Sequence, residues 1–93
     1  MSNSLHTPEY AVFRTILVAH RERAGITQSS IAEILGVPQS FVSKYESGER
    51  RVDVVEFVQI CQAIGVKPGK VIEELFANWN SIRTEQIIEL ASI

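Results

Sequence analysis

Gln39, Ser40, Ser43, Lys44 and Ser47 alternate with Phe41, Val42 and Tyr45 in one short stretch. At about 100° per residue, a helix over 39–47 gathers the five polar side chains within about 140° of arc. Phe41, Tyr45 and Val42 turn to the opposite side, and Glu46 falls on the edge of the polar arc. The arc offers an amide, three hydroxyls and an ammonium, with no carboxylate inside it. These are groups that pair with base edges and phosphates. Glutamine pairs bidentately with adenine, serine with several edges, and lysine with guanine or phosphate. A plain solvated helix face carries the same residue types, so the reading depends on what positions this helix.

The preceding residues supply the positioning. Gln28–Leu35 reads as a helix, with Thr27 at its N-cap and Ile31, Ala32, Ile34 and Leu35 on its apolar side. Gly36 ends it where a left-handed backbone conformation comes at low steric cost. Val37 points back to the core, and Pro38 suits the first turn of the next helix. Ala32 is small enough to let the two helices cross closely. Apolar residues at Ile31, Leu35, Val37, Val42 and Tyr45, together with glycine at 36, are more than a generic amphipathic pair needs.

Residues 10–66 resemble the phage repressor and Cro family of helix-turn-helix domains, often called XRE-like. The resemblance is carried by LVAHRERAG, TQSSIAEILGVPQSFVSKYESGER and DVVEFVQICQAIGV. It implies an all-α, five-helix lambda-repressor-like domain whose second motif helix enters the DNA major groove. By position, Gln39, Ser40 and Lys44 match the family's base-reading residues, and Ser43 lies between them as a further base or phosphate contact. Gln28 matches a residue that holds a phosphate at a helix N-terminus. Ser47, Arg50 and Arg51 match the phosphate-gripping loop; a solvated charge run is the plainer reading of the two arginines. Arg21 and Glu46 match an ion pair that ties the first helix to the reading helix, a structural role. Phe41 departs from the small polar residue many relatives carry. It contacts a thymine methyl group if partly exposed and only packs if buried.

The other elements are also helical. Thr7-Pro8 opens a helix that runs to about Ala24 and stops at Gly25, with Val12, Phe13, Ile16, Leu17 and Ala24 as its inner stripe. His20 reads as a half-buried residue of that helix. Asp53 with Glu56 resembles a capping box and opens a helix that ends at Gly65. Pro68 begins another, with Val71, Ile72, Leu75 and Phe76 facing inward and Glu73-Glu74 as a solvated pair. Period-two alternation and hairpin dipeptides are absent.

Three segments follow: a polar N-terminal arm over 1–7, a helix-turn-helix domain over 8–78, and an additional C-terminal helix over 79–93. In the last, Ser81 is a candidate cap and Glu85 lies in the first turn. Ile82, Gln86, Ile87, Leu90, Ala91 and Ile93 then leave a strongly apolar side. That side either packs back on Trp79 and Phe76 or buries itself against a second copy. A homodimer is the favoured reading, with Trp79, Ile82, Ile87 and Leu90 as its contacts, because a twofold interface is self-complementary. Twofold-related half-sites, hence a palindromic operator, follow from such a dimer.

Bulk properties narrow the rest. The single cysteine, Cys61, rules out an internal disulfide framework and a multi-cysteine zinc site, and reads as a small buried apolar residue. No signal peptide and no membrane-spanning apolar run is visible, which suits a cytoplasmic protein. No Gly-rich phosphate loop, metal-ligand spacing or nucleophile-base pair is found, so an enzyme is not expected and no metal or cofactor is implied. The net charge of −2 is adverse to DNA, but residues 1–52 carry +1 and residues 53–93 carry −3. The acidity therefore lies away from the proposed reading head. A weak positive head implies few phosphate contacts per subunit and a need for dimerisation. The leading reading is a sequence-specific, DNA-binding transcriptional regulator acting as a dimeric repressor. The alternative is an antitoxin or adaptor that uses the same scaffold mainly for protein–protein interaction.

Overall fold

The computed structural model describes residues 6–82. Helix α1 (Pro8–Arg23) starts where Thr7 Oγ1 accepts from the Tyr10 backbone N–H at 3.2 Å and a proline takes the first turn. Thr27 caps α2 (Gln28–Leu35) in the same way, accepting from Ser30 N at 3.0 Å. Gly36, at φ 70°, closes α2 in the left-handed conformation, and α3 (Gln39–Ser47) follows with Pro38 as its extended cap residue. Helices α4 (Val54–Ile64) and α5 (Pro68–Ala77) follow, and no strand is found among the described residues. Helical backbone resumes at residues 79–82, so Ser81 lies inside this segment and does not cap it. Most of the arm over 1–7, and Ile87 and Leu90 of the C-terminal segment, lie outside the described residues.

Asp53 and Glu56 form the expected capping box. Asp53 Oδ1 accepts from Glu56 N at 2.7 Å, and Glu56 Oε1 accepts from Asp53 N at 3.0 Å. Asp53→Ala is expected to cost about 1 kcal/mol of stability. A thermal melt that leaves Tm unchanged would show that the box is dispensable.

α1 crosses α3, α4 and α5, while α2 packs on α3 and α4. The core that results is Leu17, Ile31, Ala32, Val42, Tyr45, Phe57, Ile60, Cys61, Ile64 and Val71. Each fully buried aliphatic side chain of this kind stabilises the fold by about 1.5–3 kcal/mol. The Phe13 and Phe57 rings meet at a tilt of 57° with centroids 5.4 Å apart, fixing α1 against α4. Burial pushes the Cys61 thiol up to about 11, consistent with a packing role.

The expectations for Ala24, Ile72, Phe76, Glu74 and His20 are corrected. Ala24 is exposed, because it is the C-cap of α1 and lies past the last turn that meets the core. Ile72 and Phe76 do not face inward: they are 49% and 78% exposed. α5 turns only Val71 fully to the core, with Leu75 half-buried beside it. Glu74 is not a solvated partner of Glu73. Its carboxylate sits 3.0 and 3.1 Å from His20 Nε2 and joins α5 to α1. His20 is therefore buried, at 8% exposure, and satisfied.

Candidate nucleic-acid interface

α3 stands on the core through Val42 and Tyr45, both fully buried. The side it leaves outward carries Gln39, Ser40, Lys44 and Ser47, all exposed, with Ser43 half-buried at the margin. The hydroxyls of Ser43 and Ser47 lie 3.2 Å from the Ser40 and Lys44 carbonyls one turn back, and Ser47 Oγ is also 3.2 Å from Glu49 Oε2. Among the described residues, no hydrogen-bond partner engages the side chains of Gln39, Ser40 or Lys44. Three of the five polar side chains therefore carry their donors and acceptors outward.

The orientation of α3 is fixed through Glu46. Arg21 Nε donates to Glu46 Oε2 at 2.7 Å and Arg21 Nη2 to Glu46 Oε1 at 3.0 Å. The two side chains are 11% and 7% exposed. Arg21 Nη1 also donates to the Ile26 carbonyl at 2.7 Å, so one guanidinium spans α1, the α1–α2 turn and α3. Its hydrogen bond to Glu46 raises the Arg21 pKa further above its ordinary value. Gln28 Nε2 donates to the same Glu46 Oε1 at 2.8 Å. In the free chain the Gln28 amide thus braces α3, and the phosphate role expected for it has to coexist with that bond.

Sequence reasoning missed Arg14. Its Nη1 donates to the Glu46 carbonyl at 2.9 Å, and its guanidinium lies close beside Gly48. The available signal was spacing: Arg14 lies seven residues before Arg21, on the same face of α1. The loop after α3 is also held. Val52 N donates to Tyr10 Oη at 2.8 Å, and Glu49 N and Arg50 N both donate to the Lys44 carbonyl. Arg50 pairs with Glu56 and lies over the half-buried Phe41 ring, 4.2 Å from its centroid. Phe41 thus packs beneath Arg50 and edge-on to Tyr45 but is not fully buried, so the condition for packing alone is not met. The Arg50 pair holds the Glu56 carboxyl below its ordinary range. Arg51 is exposed.

A helix-turn-helix family model matches residues 17–71. The solved structure of an XRE-family like protein from Pseudomonas syringae pv. tomato superposes with a TM-score of 0.72. It is 46% identical and covers 74% of this chain and 84% of its own. This chain belongs to the XRE-like helix-turn-helix family. The family is one of DNA-binding transcription regulators, a non-enzymatic class. An uncharacterized HTH-type transcriptional regulator from Sinorhizobium fredii is 35% identical over 66 residues, which is 71% of this XRE-like chain and 44% of that protein. The chain thus spans under half the length of this curated relative. The clp gene regulator ClgR from Corynebacterium glutamicum shares the XRE-like fold, with a TM-score of 0.70 at 21% identity, covering 90% of this chain and 86% of that one. No helix among the described residues is long and apolar enough to cross a membrane.

Proposed function

We propose that this XRE-like chain is a sequence-specific transcriptional repressor that reads the DNA major groove with α3 as a homodimer on a palindromic operator. The observation that carries the reading is the outward arc of Gln39, Ser40 and Lys44 on a helix clamped by the buried Arg21–Glu46 pair. A fixed helix presenting unpaired donors and acceptors is what direct readout requires. Gln39, Ser40, Ser43 and Lys44 meet base edges, while Ser47, Arg51 and the α2 start at Gln28 meet phosphate. Occupying the operator excludes polymerase. Selection of bound duplexes from a random library at moderate salt tests the reading, with an enriched palindrome as the supporting outcome. Gln39→Ala and Lys44→Ala are each expected to weaken the best site by about 1–3 kcal/mol with folding intact. Binding unchanged in both variants would remove α3 as the reading head.

The dimer reading is supported by Ile72, Phe76 and Trp79, which sit four and three residues apart and are 49%, 78% and 37% exposed. This stripe leads into Ile82 and the apolar C-terminal segment. Deleting residues 80–93 is expected to reduce the solution mass by light scattering to that of a monomer. An unchanged mass would move the interface elsewhere. The same exposed stripe favours the second reading, an antitoxin or adaptor whose main partner is another protein. Folded protein that enriches no duplex would support that reading.

A further inference from the structure

We infer that Arg50 is a positioning residue that sets the α3–α4 loop for DNA, and that its neighbour Arg51 makes the loop's phosphate contact. The inference rests on the DNA-binding reading above and assigns different work to two adjacent arginines. Arg50 Nη1 and Nη2 donate to Glu56 Oε1 and Oε2 at 3.1 and 2.9 Å. Nη1 also reaches the Arg51 carbonyl at 3.0 Å, and the guanidinium lies 4.2 Å from the Phe41 ring centroid. One planar group thus joins α3, the loop and the first turn of α4.

Glu56 Oε1, which accepts from Arg50, also accepts from the Asp53 backbone N–H. The ion pair is therefore continuous with the cap of α4. Gripping a phosphate would require Arg50 to leave a bidentate carboxylate, an aromatic face and a backbone carbonyl together. Among the described residues Arg51 has no such ties: its side chain is exposed, and its own carbonyl is the atom Arg50 holds. Arg50 thereby fixes the peptide from which Arg51 projects. A lysine at 50 would keep the charge but lose the bidentate and stacked geometry.

The test measures binding of the parent and of Arg50→Ala, Arg50→Lys, Phe41→Leu and Arg51→Ala to the enriched duplex over a range of NaCl. Arg51→Ala is expected to flatten the slope of log K against log salt by about 0.9, the loss of one phosphate contact. Arg50→Ala and Arg50→Lys are expected to weaken binding alike, by about tenfold, at the parent's slope. Phe41→Leu shifts binding in the same direction, also at the parent's slope. Hydrogen exchange without DNA gives a second readout: the Val52 and Asp53 amides exchange faster in Arg50→Lys. Three results overturn the assignment. One is Arg50→Lys binding like the parent while Arg50→Ala flattens the slope. The second is Arg51→Ala at the parent's slope. The third is unchanged exchange in Arg50→Lys. A folded parent that binds no duplex with salt dependence overturns the DNA reading itself, whatever the exchange rates show.

Discussion

Replacing Arg21 by alanine lowers the unfolding free energy by about 3–5 kcal/mol, read as a shift of the urea midpoint. Domains of this kind are stable by only about 5–15 kcal/mol, so the loss is a large share of the total. The size follows from what remains. Glu46, with a side chain 7% exposed, loses two of its three side-chain donors and keeps only Gln28 Nε2. The Ile26 carbonyl loses its donor in the same step. A carboxylate left buried with one amide costs far more than an exposed ion pair contributes, which is about 0–1 kcal/mol. Arg21→Met combined with Glu46→Leu is expected to be less destabilising than the two single changes summed, because no charge is then stranded. A single-variant loss below about 1 kcal/mol would show that water reaches Glu46 once Arg21 is gone.

Gly48→Ala carries the second-largest effect, through two costs at one atom. Gly48 ends α3 at φ 87°, a left-handed conformation that costs an L-residue about 1–2 kcal/mol. A Cβ there would also stand 2.9 Å from Arg14 Cζ and 3.1 Å from its Nε. Either the guanidinium leaves, giving up its 2.9 Å bond to the Glu46 carbonyl, or the loop shifts, at an overpacking cost of about 1–3 kcal/mol. Gly36→Ala is the control. Its φ of 70° imposes a similar conformational cost, but nothing lies within 4 Å of the added atom. A lower urea midpoint for Gly48→Ala than for Gly36→Ala is expected. Equal midpoints would mean that Arg14 swings aside without loss.

The helix-turn-helix itself was legible because local rules decide it. Thr27, Gly36, Asp53 and Gly65 mark helix ends through bonds made within a few residues, and the structure uses all four for this purpose. The Arg21–Glu46 pair was visible only through the family resemblance, since no local rule joins residues that far apart. The failures share a cause. Periodicity showed that Val71, Ile72, Leu75 and Phe76 lie on one side of α5. It did not show that α1 and α4 cover only the Val71 edge of that side. His20 and Glu74 lie on different helices, and nothing local in the sequence joins them. Arg50 and Arg51 looked equivalent as a charge run. The Glu56 carboxylate and the Phe41 ring distinguish them, and both reach Arg50 only once α3 and α4 are in place.

The α3 surface also bears on how such a protein changes over evolution. Gln39, Ser40 and Lys44, the side chains proposed to read bases, make no hydrogen bond to the rest of the described chain. The groups that hold α3 in place are Glu46, Val42 and Tyr45, on its other sides. Exposed substitutions away from such ties usually shift stability by no more than about 0.5 kcal/mol. On that proposal, recognition and folding are encoded by separate residues of a single helix. On the same proposal, descendants of this sequence can drift among DNA targets by exchanging a few side chains while the scaffold beneath stays as it is.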